Sequence, residues 1–374
     1  MLFRSYLDYS ANTPSCEEVL LSFLEAERNY PGNANSDHTP GRQAKAEMVR
    51  ITSSVADMLG VRANEVIFTS GSSESNNTAI FGTTAHKNKG HIITTKLEHA
   101  SVSEPIRILE SRGFDVDYAD IMPGGKVSPD SVEKLIRDDT VLVSVTTVDS
   151  ELGTVQPIRE ISEVVKSHPG CVFHVDATQA VGKIPFSLDG VDISCCSPHK
   201  FYGICGVGIM IKKSHIRLEP LIHGGSSSTL YRSGTPTLSL AASAEKALET
   251  ANVHLTERYE TVKRHNDELR GFFKGYDKVK INSPSDAIPH ILNLSVDGVK
   301  GTVFRRELDK YGVCVSVKSA CSSDGMPSEA VLAICGDRRR ALSSWRISLS
   351  HLTTTDEIEQ FKEIFDRCYK TLIK

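Results

Sequence analysis

The chain has 374 residues, 39% hydrophobic and 24% charged, with a formal charge of −4 from 43 basic and 47 acidic side chains. That length suits a large domain plus a smaller one. No basic patch of the nucleic-acid kind stands out, Arg338-Arg339-Arg340 being short, and no apolar run reaches the ~18 residues of a membrane span. Asp8 comes too early for a secretory signal, so the cytoplasm is the expected compartment. Nine scattered cysteines with no C-x-x-C pair argue against a zinc site or a disulfide framework.

In chain order, residues 6–14 form an opening segment, and Asn29 to Ser36 is a turn-rich loop. Ala44, Met48, Ile51, Val55 and Met58 recur near helical spacing, which predicts an amphipathic helix over 41–59. The strand Glu65–Thr69 runs into Ser70-Gly71-Ser72-Ser73 and then a helix. A helix start of this kind offers free N–H groups at a positive dipole end, a ready phosphate cradle. A second strand, His91–Thr95, leads to Glu98-His99, and an apolar strand over 140–147 leads to Asp149-Ser150. The run Cys171–Val175 ends at Asp176, and Val191–Cys196 is followed by Ser197-Pro198-His199-Lys200. A glycine turn then enters the apolar run ending at Ile211. Beyond the polar loop that contains Arg232-Ser233-Gly234-Thr235, one long helical pattern covers 236–272 and should bridge two domains. The C-terminal region reads as a strand at Ile291–Val296 and a helix around Thr302–Tyr311, followed by the stretch from Gly312 to Val317. Next come a polar loop with Cys321, a strand around Arg346 and a final helix to about Leu372.

Ligands of an open α/β sheet sit beyond the carboxyl ends of its strands, so Asp176 and Lys200 should face one crevice. Pyridoxal phosphate (PLP) needs such a pair: a lysine amine for the Schiff base and a carboxylate on the pyridinium nitrogen. Taken singly, Asp176 reads as a turn cap and Lys200 as a surface lysine. Cys321, in a glycine- and proline-flanked loop, sits where thiols are exposed and reactive. A guanidinium such as that of Arg346 forks onto a carboxylate.

Four motifs run in order: His-Val-Asp-Ala-Thr-Gln at 174–179, Ser-Pro-His-Lys at 197–200, Arg-Ser-Gly-Thr at 232–235 and Ser-Ala-Cys-Ser-Ser at 319–323. With them the chain resembles the NifS/IscS cysteine desulfurases, among the class-V aminotransferases of PLP fold type I. The resemblance implies an α/β fold: a mostly parallel seven-stranded sheet with helices on both faces, plus a smaller α+β C-terminal domain. It assigns 14–250 to the large domain and 1–13 with 251–374 to the small one. It implies that PLP bonds to Lys200 and touches Ser72, Ser73, His99, Ser150, Asp176, Gln179, Ser197 and His199. Thr235 would reach the cofactor phosphate of a partner subunit in a homodimer with shared active sites. His99 would lie on the cofactor ring and move protons. Arg346 would hold the carboxylate of L-cysteine. Asn33 either touches that carboxylate or is a structural turn residue.

Cys321 would be the nucleophile that becomes a persulfide and hands sulfur to a protein acceptor, an iron–sulfur scaffold or a tRNA-thiolation enzyme. No metal, membrane or direct nucleic-acid contact is implied. The chain departs from the family at Ala34 (usually Pro), at Asp149-Ser150 (usually Asn-Asn) and around Cys321, where Lys318-Ser319-Ala320 and Ser322 replace Gly-Ser-Ala and Thr. Ser150 would reach the cofactor only through water. Two alternatives stand beside this reading. One is a selenocysteine lyase or another PLP-dependent β-eliminating or transaminating enzyme. The other is a degenerate sulfur-carrier scaffold subunit.

Overall fold

The computed structural model describes residues 5–225, 229–317 and 326–373. The chain opens with β1 (Ser5–Tyr6), α1 (Glu17–Asn29) and α2 (Thr39–Leu59). The predicted stripe Ala44, Met48, Ile51 and Val55 is the buried face of α2, and Gly60, left-handed at φ 66, stops it. Strand and helix then alternate through β2 (Val66–Thr69), α3 (Ser72–Thr84), β3 (His91–Thr94), α4 (Ala100–Ser111), β4 (Asp115–Tyr118), α5 (Pro129–Leu135), β5 (Thr140–Thr146), α6 (Ile158–Lys166) and β6 (Val172–Asp176). β7 (Ile193–Cys196) and β8 (Gly208–Lys212) complete a seven-stranded sheet of order β2-β8-β7-β6-β5-β3-β4. It is parallel except for β8, which runs antiparallel to β2 and β7. β5 is buried along its whole length, as its apolar and β-branched run, interrupted by Ser144, requires of a sheet covered on both faces. The edge strand β4 is partly exposed and carries Asp115 and Asp117, charges that oppose pairing with another chain.

The helix expected over 236–272 is two, α7 (Leu238–Val253) and α8 (Leu255–Phe273), broken at His254 (φ −101, ψ 10). Each half serves a different core. Ala244, Ala247, Leu248 and Ala251 of α7 pack into the core of the main sheet, whereas Val262, Leu269 and Phe273 of α8 pack into a second one. A straight helix could not present both faces. The rest of the chain supplies β9 (Val279–Ile281), β10 (Ile291–Val296), α9 (Gly301–Asp309), β11 (Val313–Cys314), α10 (Glu329–Cys335), α11 (Arg338–Leu342), β12 (Ser344–Ser348) and α12 (Thr355–Leu372).

β12-β10-β9 form an antiparallel sheet, and β1 pairs with β11 in parallel. Within 312–317, β11 is only two residues long, and β1 offers it only two partners. In the second core Phe304 stacks on Trp345 with centroids 5.2 Å apart, and Phe365 meets both. Such contacts add about 0.5–1.5 kcal/mol beyond buried area. α12 begins with a reciprocal Thr354–Glu357 capping box. Ala330, Val331 and Ala341, on α10 and α11, join the core of the main sheet instead of the second one. Among the described residues no helix is long and apolar enough to cross a membrane.

Candidate active site

The carboxyl ends of β3, β5, β6 and β7 deliver His99, Ser150, Asp176, Ser197 and Lys200 to one crevice, with Ser72 and Ser73 at the start of α3. Its volume is about 380 Å³, within the usual range for a small-molecule site. Ser10 and Ala11, from the opening segment, and Arg346 of β12 also line it.

Asp176 is 5% exposed and held at both oxygens. Oδ2 accepts from Asn76 Nδ2 at 2.8 Å and Oδ1 from the Thr178 N–H at 2.9 Å. Asn76 presents its Oδ1 to His174 Nε2 at 3.2 Å, and His174 Nδ1 lies 2.8 Å from Ser144 Oγ. Burial lowers the His174 pKa to about 4. The imidazole is thus neutral, and this buried row fixes the amide that orients Asp176.

Lys200 follows a short turn at Pro198 and donates its Nζ to the Ser10 carbonyl (2.9 Å) and the Ala11 carbonyl (2.6 Å). Burial, helped by Arg346, brings its pKa down to about 8. An amine at that value is roughly one-tenth uncharged at pH 7, and that fraction can act as nucleophile or base. His199 is driven down to about 4 by burial and by Lys200. Gln179 donates Nε2 to the Ser10 carbonyl at 3.0 Å.

Hydroxyls converge at the positive end of α3. The Ser72 N–H donates to Ser197 Oγ at 2.6 Å, the two hydroxyls lie 2.6 Å apart, and Thr178 Oγ1 donates to Ser72 Oγ at 2.7 Å. Ser73 sits exposed at the rim. Gly208 keeps this end tight: a Cβ there would come within 2.6 Å of the Gly71 backbone. Glu74 braces the turn, accepting from the Ser70 N–H at 2.8 Å and from Arg232 Nε at 3.0 Å.

His99 caps α4, its Nδ1 accepting from the Ser101 N–H at 3.1 Å. Burial lowers its pKa, so the neutral ring carries its proton on Nε2.

Arg346 is 2% exposed. It donates to the Ser150 carbonyl (2.7 Å) and to Asp8 Oδ1 (2.9 Å), and among the described residues its buried Nε has no partner. Asp8 Oδ2 in turn accepts from Ser316 Oγ at 2.8 Å. Ser150 thus meets the site through its main-chain carbonyl, a contact that does not depend on which side chain stands there.

Two predicted residues do not join this group. Asn33 is exposed and spends its Oδ1 on the Asn35 N–H of its own loop, 2.9 Å away. Thr235 is exposed, and neither residue lines the crevice. Cys321 lies outside the described residues. Sequence reasoning missed Asp8 and Asn76. The only signal for Asn76 was its place one turn after Ser72, on the same face of α3.

The residues present fit PLP. The crevice offers an amine, a carboxylate held by a buried amide, a helix start ringed with hydroxyls, and a buried guanidinium with an unused donor. Among the described residues no group of three His, Cys, Asp or Glu is placed to hold a metal ion.

The family model for class-V aminotransferases matches residues 5–361. A cysteine desulfurase IscS of Dictyoglomus turgidum is 37% identical, covering 98% of this chain and 95% of its own. The IscS of Methanosarcina thermophila is 33% identical over 96% and 90%. A solved NifS-like protein superposes with a TM-score of 0.92 at 33% identity, covering 98% of this chain and 100% of that one. SspA, solved in complex with cysteine, gives 0.82 at 32%, covering 94% and 100%. The chain belongs to the class-V aminotransferase family, on its NifS/IscS-like side.

Proposed function

We propose that this protein is a cysteine desulfurase with PLP as its cofactor, converting L-cysteine to L-alanine and leaving a persulfide on Cys321. The observation that carries the reading is the crevice that Lys200, Asp176 and Arg346 share, with a buried guanidinium donor unused.

When bound, PLP supplies an aldehyde carbon for the Lys200 amine and a ring that takes up the electron pair left when the substrate Cα–H bond breaks. The chain's own residues do the rest. Asp176, steadied by Asn76, keeps a proton on the ring nitrogen. Ser72, Ser197 and the first turn of α3 bind the phosphate, with Ser73 at the rim. His99, His199, Gln179 and the Ser150 turn line the same crevice and would surround the ring. Arg346 takes the substrate carboxylate, which fixes the Cα–H bond in front of Lys200. Lys200, uncharged in a useful fraction near neutral pH, accepts the Cα proton. The Cys321 thiolate bonds the substrate sulfur, the Cβ–S bond breaks, and the carbon skeleton leaves as alanine once protonated.

The same reading makes the protein a cytoplasmic homodimer with Thr235 reaching the partner's site. It divides the chain into residues 14–250 and 1–13 with 251–374. It assigns the persulfide to a protein acceptor, an iron–sulfur scaffold or a tRNA-thiolation enzyme. In the test, Lys200→Ala loses the visible absorbance of the bound cofactor. Cys321→Ser keeps that absorbance but stops alanine and sulfide release from L-cysteine. Undiminished release from Cys321→Ser would remove the nucleophile assignment.

A further inference from the structure

Behind Gln179, beside this crevice, lies a second amine, Lys183, that the chemistry above does not use. Lys183 is 6% exposed and donates its Nζ to Gln179 Oε1. With that oxygen committed, the Gln179 amide has one sensible orientation, and its Nε2 donates to the Ser10 carbonyl at 3.0 Å. The same carbonyl accepts from Lys200 Nζ at 2.9 Å. A hydrogen-bonded path therefore links Lys183, Gln179, Ser10 and Lys200.

A cavity of about 10 Å³ beside the two amines is also lined by His290, His351 and Arg258 and, among the described residues, by no carboxylate. An ammonium on Lys183 would be a buried charge without a counter-ion. Burial and the nearby Lys200 push its pKa well down, in agreement with that geometry. An uncharged amine still donates to Gln179.

We propose that Lys183 is a positioning residue for Lys200, acting through the Gln179 amide and the Ser10 carbonyl. The proposal rests on the reading of Lys200 as the cofactor-binding lysine. Its physical content is a sign. A well-aimed carbonyl stabilises an ammonium more than an amine, because charge-assisted hydrogen bonds are the stronger ones. Loosening Ser10 therefore lowers the Lys200 pKa, whereas deleting a charged neighbour would raise it. Arg346, Asp8, Asp176 and Cys205 also bear on Lys200 and stay in place in every variant.

The experiment labels the cofactor-free full-length protein with brief pulses of acetic anhydride across a pH series and follows Lys200 by peptide mass spectrometry. The wild type should reach half-maximal labelling near pH 8. In Lys183→Met the midpoint should fall by about half a unit, so that below it Lys200 labels roughly threefold faster. Gln179→Leu should give the same fall, and adding Lys183→Met to it should change nothing more. A rise, an unmoved midpoint or an additive double variant overturns the proposal. Should Lys183→Met fail to fold, Gln179→Leu alone decides, and an unmoved midpoint again overturns it. Borohydride reduction of the cofactor-loaded wild type, with mapping of the pyridoxyl-lysine, tests the underlying reading separately. Label on Lys200 keeps that reading and label elsewhere removes it, whichever way the midpoint moves.

Discussion

Arg346 shows how much a single side chain can carry. Asp8 and the Ser150 carbonyl hold it by two nitrogens while a third donor waits in a dry place. A lysine there would present one point charge in place of a planar fork. Arg346→Lys should therefore raise the KM for L-cysteine about 10- to 100-fold, the scale of one charge-assisted hydrogen bond, and leave the cofactor absorbance unchanged. Steady-state kinetics beside a spectrum checks this; an unaltered KM contradicts it. At this scale the sequence was legible where a chemical group ends a strand, as Asp176 does, or closely follows one, as Lys200 does. It was opaque where main-chain atoms act. The Ser10, Ala11 and Ser150 carbonyls have no letter of their own. Nor was Asp8 foreseeable as the partner of Arg346, since 338 residues separate them along the chain.

The decisive junction among elements is the start of α3 against β8. Gly208 leaves no room for a side chain beside Gly71 and Thr69. Gly208→Ala should force the two backbones apart, costing about 1–3 kcal/mol of stability by overpacking. It should also loosen the phosphate end of the site. Thermal melting and the rate of cofactor loss on dialysis measure the two effects, and an unchanged loss rate would show that the cradle does not depend on this contact. Elements themselves were readable where periodicity or β-branched runs were strong, as in α2 and β5. The division at His254 was not, because no proline or glycine marks it and only the presence of two cores demands it.

For the molecule as a whole, two buried acids set a pH trend. Burial raises Glu98 from 4.5 to about 8, its Oε2 having no partner among the described residues, and burial with Glu151 raises Asp149 from 3.8 to about 7. The folded state thus binds more protons than the unfolded chain between about pH 4 and pH 8. Their contribution is complete at the acid end of that window and is lost as pH rises through it. The melting temperature should fall across the window by more in the wild type than in Glu98→Gln/Asp149→Asn. Equal slopes would mean that these carboxyls ionise in the fold without cost.

The first seven described residues, Ser5 to Ala11, touch both halves of this arrangement. β1 lies beside β11, Asp8 grips Arg346, and two successive carbonyls grip Lys200. This segment is therefore a clasp on the chemistry, and its Leu7 is buried in the second core. Loss of these residues would release the guanidinium and the amine together and would also open the second core at Leu7.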